Sequence, residues 1–358
     1  MSTGKPFVLW YEACHLGLLE MVGGKNARLG ELIQGGFPVP NGFAVTTAAF
    51  TAFLEGGPGR ELRKILGDRF QAKPGNEAVT SRKIRHLIQA SQVPEAVAVQ
   101  MKKAYAELCK KCGHPRLPVA IRSSATTECL DGYSFAGQQE TYLGVHGQNA
   151  LMAQTLRCWS SLFTPQAMAY RGRMKFSHLE AQMSVGVQQL AVGEASGVIF
   201  TLNPANGDRS KIVVEANWGL GESVVDGSVD PDRFVVDKVT LEIIERVVAK
   251  KEWMTAVDDV SGVKRMRIPS EKRGAACLSD VAIIELATLA KKIERHRGSP
   301  QDIEWTRLTP PNGNVILQSR PETAWCKRSR HPVVAPQTSG LGVIVEGMKI
   351  LGKSVGKP

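Results

Sequence analysis

Long apolar runs are missing from this 358-residue chain: none approaches the roughly 18 uninterrupted residues that a membrane-spanning helix needs. The stretch Met1 to Trp10 holds an apolar run too short for a secretory signal. Aromatic residues are scarce, at 6%, which argues against a nucleic-acid face of cations interleaved with stacking rings. Cysteine is neither abundant nor evenly matched. The seven thiols, at 14, 109, 112, 129, 158, 277 and 326, are odd in number and scattered, which excludes a disulfide scaffold and suits a reducing compartment. No fixed-period repeat is present, so solenoids and propellers drop out. The expectation is a cytoplasmic protein with neither nucleic acid nor membrane as a partner.

What remains is globular in composition, with 43% apolar and 22% charged residues. The length suits two domains, or one domain of two lobes. The net charge of +11 is unevenly spread: residues 1–115 carry 15 basic and 9 acidic side chains, 116–325 carry 24 of each, and 326–358 carry 6 and 1. A phosphorylated small molecule, or an acidic partner near the C-terminal tail, accounts for that sign without nucleic acid.

Hydrophobic spacing predicts a helix over Lys25–Ile33 between Gly23-Gly24 and Gly35-Gly36, a strand at Phe43–Val45, a helix from Thr46, and a helix from Pro94 to Leu108. Residues 56–76, with Gly-Gly-Pro-Gly and Lys-Pro-Gly-Asn, read as loop. Cys109, Cys112 and His114 lie in one Cys-Lys-Lys-Cys-Gly-His stretch; a lone pair of this kind fits thiols at a helix end as well as zinc. After Pro118, strands at 119–121 and 140–145 flank a loop rich in Ser, Gly and Ala, and 149–171 reads as helical. Short strands follow at 185–192, 196–201, 211–216, 234–237 and 241–246, then a helix from Ala282 to Arg295 and strands near Ile303 and 315–318. Helices lead and strands dominate later, which predicts an α+β fold of two unequal lobes. The expected boundaries are 1–190, 191–325, and a basic, Gly-rich tail or linker over 326–358.

Three constellations carry chemistry. Arg122-Ser123-Ser124-Ala125, running on to Ser134-Phe135-Ala136-Gly137, offers a guanidinium, hydroxyls and approachable amides, which are the parts of a polyphosphate cradle or of a polar turn. Lys25, after two glycines at a helix start, has the same affinity for an anion, although the spacing is not that of a P-loop. Nor is Gly219-Leu220-Gly221 a dinucleotide fingerprint, because Val224 stands where a third glycine belongs. Near the end, Asp302 and Glu304 share one strand face, as do Gln318 and Arg320 on the next strand. That arrangement suits a magnesium-bound triphosphate or a cross-strand salt bridge.

Seven blocks in order give the chain a family resemblance: the Gly-Gly-Lys helix; Arg122-Ser123-Ser124-Ala125; Ser134 to Thr141; Val187-Gln188; Ser196 to Thr201; Glu215-Ala216-Asn217-Trp218-Gly219-Leu220-Gly221-Glu222; and Asp302 to Trp305 with Gln318 to Pro321. From Gly23 to Thr323 it resembles the N-terminal nucleotide-binding part of phosphoenolpyruvate synthase and pyruvate phosphate dikinase, which has an ATP-grasp fold. The resemblance implies ATP and Mg²⁺ as cofactors. It places Lys25, Arg122 and Arg320 on the phosphates, Ser134, Phe135, Ala136 and Gly137 in a phosphate lid with Thr141 beside it, and Gln188 and the Leu190 backbone at the adenine. Glu222 joins the nucleotide site, and Glu304 and Gln318 become magnesium ligands. This chain has Glu128-Cys129 where the family commonly has Glu-Asp, and Gln188-Gln189-Leu190 where it has Gln-Lys-Met.

Relatives carry the transferred phosphoryl group on a histidine in a Gly-Gly-x-x-Cys-His type of stretch, and none of His15, His86, His114, His146, His178, His296 and His331 lies in one. The resemblance therefore implies a phosphohistidine-bearing partner subunit. A nucleotide module of this size looks like the stand-alone ATP-binding subunit of phenylphosphate synthase, with AMP and phosphate as products and phenol as final acceptor. A fragment of a phosphoenolpyruvate synthase or an antibiotic phosphotransferase, and a non-catalytic nucleotide sensor, are the other readings.

Overall fold

In this computed structural model, the structure describes residues 5–67, 77–126, 140–174, 176–258, 262–309 and 313–325. The first sheet is built from β1 (Val8–Trp10), β2 (Gly42–Val45), β3 (Val119–Ala125), β4 (Thr141–Val145) and β5 (Met183–Gln189), in the order β1-β2-β5-β3-β4. Every neighbouring pair in it is antiparallel. Period-two alternation sorts its residues. Val119, Ile121, Val185 and Val187 turn into a core with Phe43 and Phe50, whereas Ala120, Arg122, Ser124 and Gln188 turn the other way.

That core is roofed by α2 (Thr47–Glu55), α3 (Pro58–Leu66), α4 (Glu77–Ala90), α5 (Glu95–Lys111), α6 (Gln148–Ser161) and α7 (Pro165–Arg173). Trp159 of α6 sits at its centre, with ring centroids 5.6 Å from Phe50 and 4.9 Å from Phe53. The opposite face carries α1 (Leu19–Gln34), whose Val22, Ala27 and Leu29 pack with Tyr11 and Ala44.

A second antiparallel sheet has the order β13-β12-β6-β7-β8-β9, from β6 (Ala195–Phe200), β7 (Lys211–Trp218), β8 (Asp232–Asp237), β9 (Ile243–Val247), β12 (Gln301–Arg307) and β13 (Asn314–Pro321). Ile199, Val214, Phe234 and Ile303 bury one face against Ile283, Leu286, Ala290 and Ile293 of α10 (Asp280–Arg297). In register on the other face run Gln318, Glu304, Val198, Glu215 and Arg233. A separate ribbon pairs β10 (Trp253–Asp258) with β11 (Gly262–Arg267), and two one-turn helices, α8 (Glu222–Val225) and α9 (Ser270–Arg273), complete the elements. Described residues up to Glu322 form one compact unit, and 323–325 belong to a second.

The mixed helix and antiparallel sheet is the α+β class read from the sequence. Two local readings need correction, and one helix has no reading in the sequence. Residues 58–66 are a helix rather than loop: Pro58 occupies the first helical turn, where its missing N–H costs nothing, and Leu62 and Leu66 are buried. The predicted helix over 149–171 is two helices, broken at Thr164, whose hydroxyl caps the second by accepting from the Ala167 amide at 3.2 Å. Residues 77–90 went unread, and their Ser81, Ile84 and Ile88 are the buried stripe of α4. Cys109 lies in the last turn of α5 and Cys112 caps it, and among the described residues no group of three or more His, Cys, Asp or Glu side chains is placed to hold a metal. No described helix is long and apolar enough to cross a membrane. The expected tail over 326–358 lies outside the described residues.

His178 is buried, and its Nδ1 accepts from the buried Arg171 Nε at 3.0 Å. Burial, and then the neighbouring guanidinium, push the imidazole down to about 4. The unfolded chain takes up this proton near the ordinary value of about 6.5 and the native state only near 4, so stability falls as pH drops through that window. We expect the urea midpoint to fall from about pH 7 to about pH 5, and His178→Asn, which retains an acceptor for Arg171, to flatten that fall.

Candidate active site

The polar faces of the two sheets meet at a cavity of about 380 Å³. Ala120 and Arg122 of β3, Thr141 to Leu143 of β4 and Gln188 to Ala191 at the end of β5 line one side. Ser196 and Gly197 of β6, Leu220, Glu222 and Asp226 around α8, and Glu304 and Leu317 of the last hairpin line the other. Arg122, Thr141, Gln188, Leu190, Glu222 and Glu304, drawn from five separated stretches of the sequence, thus share one cavity.

Arg122 is the centre of the site. Thr141 lies directly opposite it in the β3–β4 register. Its Nη1 donates to Glu304 Oε2 at 3.0 Å, to Gln318 Oε1 at 3.4 Å and to the Leu317 carbonyl at 3.4 Å. The last contact depends on a register shift after Glu304, where Glu304 pairs with Gln318 but Trp305 pairs with Ile316; Leu317 drops out of the register. Arg122 Nε is buried without a partner. Glu304 and Gln318 are cross-strand neighbours whose side-chain oxygens converge on a single cationic nitrogen. A carboxylate and a carboxamide oxygen so aimed fit a hard divalent cation that draws its other ligands from phosphate and water.

Lys25 is held beside this centre rather than in the lining. Its Nζ donates to the Ser123 carbonyl at 2.8 Å, and its backbone amide donates to Ser124 Oγ at 3.2 Å. Gly23 interrupts α1 with φ +70, so the helix proper starts where the sequence placed it, and a Cβ there would lie 2.2 Å from the Ser124 carbonyl. The amide expected to greet an anion is therefore already capped by a serine of the Arg122 strand.

Arg320 goes elsewhere in this structure. Its Nη2 lies 2.6 Å from Asp302 Oδ2, its cross-strand partner, at a half-exposed position outside the cavity lining. Burial pushes the Asp302 carboxyl up against the pull of that guanidinium. The Leu190 amide donates to the Pro118 carbonyl at 3.0 Å, which leaves the Leu190 carbonyl and side chain to the cavity. Gln188 is 1% exposed, and its amide nitrogen has no partner. Ser134, Phe135, Ala136 and Gly137 lie outside the described residues. Sequence reasoning missed Asp226 and Tyr142 in the lining; Asp226 follows Glu222 by one helical turn, a spacing that could have revealed it.

A guanidinium from one antiparallel sheet thus meets oxygen acceptors from the other at the wall of a shared cavity. Residues 19–340 match the family described as the pyruvate phosphate dikinase AMP/ATP-binding domain, and the chain belongs to that family. It is 37% identical over 343 residues to a probable phosphoenolpyruvate synthase of Methanocaldococcus jannaschii, a match covering 96% of this chain and 29% of that protein. It is 36% identical over 381 residues to the phosphoenolpyruvate synthase of Pyrococcus furiosus, covering 96% and 46%. For the phosphoenolpyruvate synthase of Aeropyrum pernix the figures are 38% over 361 residues, 93% and 44%. The chain thus spans less than half the length of each of these relatives.

A buried amide nitrogen without a partner costs stability, on the order of 1–3 kcal/mol, and is a donor free to meet a ligand. Gln188→Leu should therefore leave the urea midpoint unchanged or raise it, while calorimetry shows ATP affinity reduced at least tenfold.

Proposed function

We propose that the chain is the nucleotide-binding part of an AMP-forming dikinase with ATP-grasp architecture, and that Mg–ATP lies between its two lobes. The observation that carries this reading is the convergence of Arg122, Glu304 and Gln318 on one point from two different sheets. Gln188 and the Leu190 carbonyl take the adenine, Glu222 stands at the rim beside the sugar, and Thr141, Arg122 and Lys25 face the phosphates. Arg320 joins them once it leaves Asp302. Glu304 and Gln318 would hold a magnesium ion, whose charge would offset that of the phosphates. What the chain's own residues contribute is alignment and a fixed field of donors, which is most of what phosphoryl transfer requires.

ATP, water and a neutral imidazole would give AMP, inorganic phosphate and a phosphohistidine. The described cavity is lined by no histidine, which supports a phosphoacceptor on a partner subunit or on a further domain. For the final acceptor, the resemblance to phenylphosphate synthase supports phenol, whereas the 36–38% identity to phosphoenolpyruvate synthases favours the acceptor of those enzymes.

ATP labelled at the β-phosphate tests the reading. Label should pass to a histidine of the partner as AMP forms, and the chain alone should release AMP slowly. Arg122→Ala and Glu304→Ala should each lower that transfer at least 100-fold, consistent with losing a few kcal/mol of transition-state stabilisation, without loss of the folded state. Transfer within threefold of wild type in either variant would contradict these roles. Stable labelling of one of the chain's own histidines would remove the need for a partner.

A further inference from the structure

Leu143 of β4 lines the cavity described above, whereas its neighbour Gly144 lines a separate pocket of about 200 Å³. The two share no lining residue. The smaller one suits a single small ion with its waters, since sites for drug-sized ligands run to roughly 300–1,000 Å³. Its walls are set by backbone contact between β4 and the β10–β11 ribbon: a Cβ on Gly144, at φ +68, would lie 2.4 Å from the Gly262 carbonyl oxygen.

The polar lining has a definite donor and acceptor pattern. His114 Nδ1 accepts from the Arg116 backbone amide at 3.2 Å, so the ring proton sits on Nε2 and that edge donates. His146 Nδ1 lies 3.0 Å from the Gly144 carbonyl oxygen, which can only accept; in the neutral ring the proton is therefore on Nδ1, and Nε2 accepts. Asp258 is 2.7 Å from Lys264 Nζ, which offsets its charge and leaves the Arg116 guanidinium as the excess cation of the lining. Beside it α6 begins, a 14-residue helix whose N-cap, Gly147, offers no side-chain acceptor, and a Cβ at Gly147 would lie 3.6 Å from Arg116 Nη2. The positive end of that helix adds to the field of the guanidinium. A metal is the wrong occupant: no three His, Cys, Asp or Glu side chains among the described residues are placed to hold one, and Arg116 would repel it.

An anion that accepts on some oxygens and donates from another fits this set. We propose that the pocket binds hydrogen phosphate: its unprotonated oxygens take the Arg116 fork and the His114 Nε2 proton, and its own hydroxyl donates to His146 Nε2. Sulfate, alike in shape and charge, carries no proton near neutral pH and would set an oxygen lone pair against that of His146. The site stands independently of the nucleotide reading above.

Equilibrium dialysis of the full chain against radiolabelled phosphate, near neutral pH and at constant ionic strength, tests it. Saturable binding is expected, with sulfate at least tenfold weaker as a competitor and with the label retained in excess Mg–ATP. Arg116→Gln removes the cation at an exposed position and should weaken phosphate binding at least tenfold while ATP affinity stays within twofold of wild type. His146→Asn keeps a donor for the Gly144 carbonyl and drops Nε2, so sulfate should then compete within threefold of phosphate; thermal melting checks that both variants are folded. No saturable binding, equal competition by sulfate in wild type, or unaltered affinity in Arg116→Gln would each overturn the site. Label displaced by Mg–ATP, or lost in Arg122→Ala rather than in Arg116→Gln, would put the phosphate in the larger cavity and overturn this proposal while leaving the nucleotide reading intact.

Discussion

Everything at the site depends on period-two alternation in two antiparallel sheets. Each strand has one row of side chains to bury and one to spare. Ile121 and Val187 enter the first core, so Arg122 and Gln188 emerge on the opposite side; Ile199, Val214 and Ile303 meet α10, so Glu304 emerges away from it. A slip of one residue in any of these strands would exchange cavity-facing and core side chains. The hydrophobic cores thereby hold the register of the polar residues, and the site is positioned by groups that never touch a ligand.

The site's electrostatics follow from that placement. A guanidinium confined to 9% exposure needs a counter-charge, and the nearest one is the carboxylate that the opposite sheet presents. Gln318 and the Leu317 carbonyl add neutral acceptors, so three contacts gather on Nη1 while the buried Nε has none. Among the described residues the cavity thus sets cation against anion from two different sheets.

Much of this was legible in the residues. Alternation between apolar and polar positions marked β3, β5, β6 and β12, and the order of short motifs placed Arg122 and Glu304 in one site although 182 positions separate them. Helices defined by three-and-four spacing, such as α5 and α10, were also readable. What escaped had physical causes. Pro58 looked like punctuation because a proline that opens a helix and one that ends it are the same letter. The β10–β11 ribbon has few apolar positions in step, since Lys264, Arg265 and Arg267 are exposed, and its pairing is visible only once the strands are folded together. Arg320 shares a face with Gln318 as expected, but its guanidinium is taken by Asp302, a choice of partner that strand alternation alone does not specify.

Gly23 has a mechanical consequence. Because no side chain separates its backbone from that of Ser124, the start of α1 and strand β3 are seated chain against chain, and the Ser124 hydroxyl and the Lys25 ammonium pin the joint from both sides. Lys25 and Arg122 are therefore two prongs of one rigid tool, with no compressible layer between them. Their spacing is set by this backbone-to-backbone seat, whereas the distance from either to Glu304 depends on how the second sheet is placed.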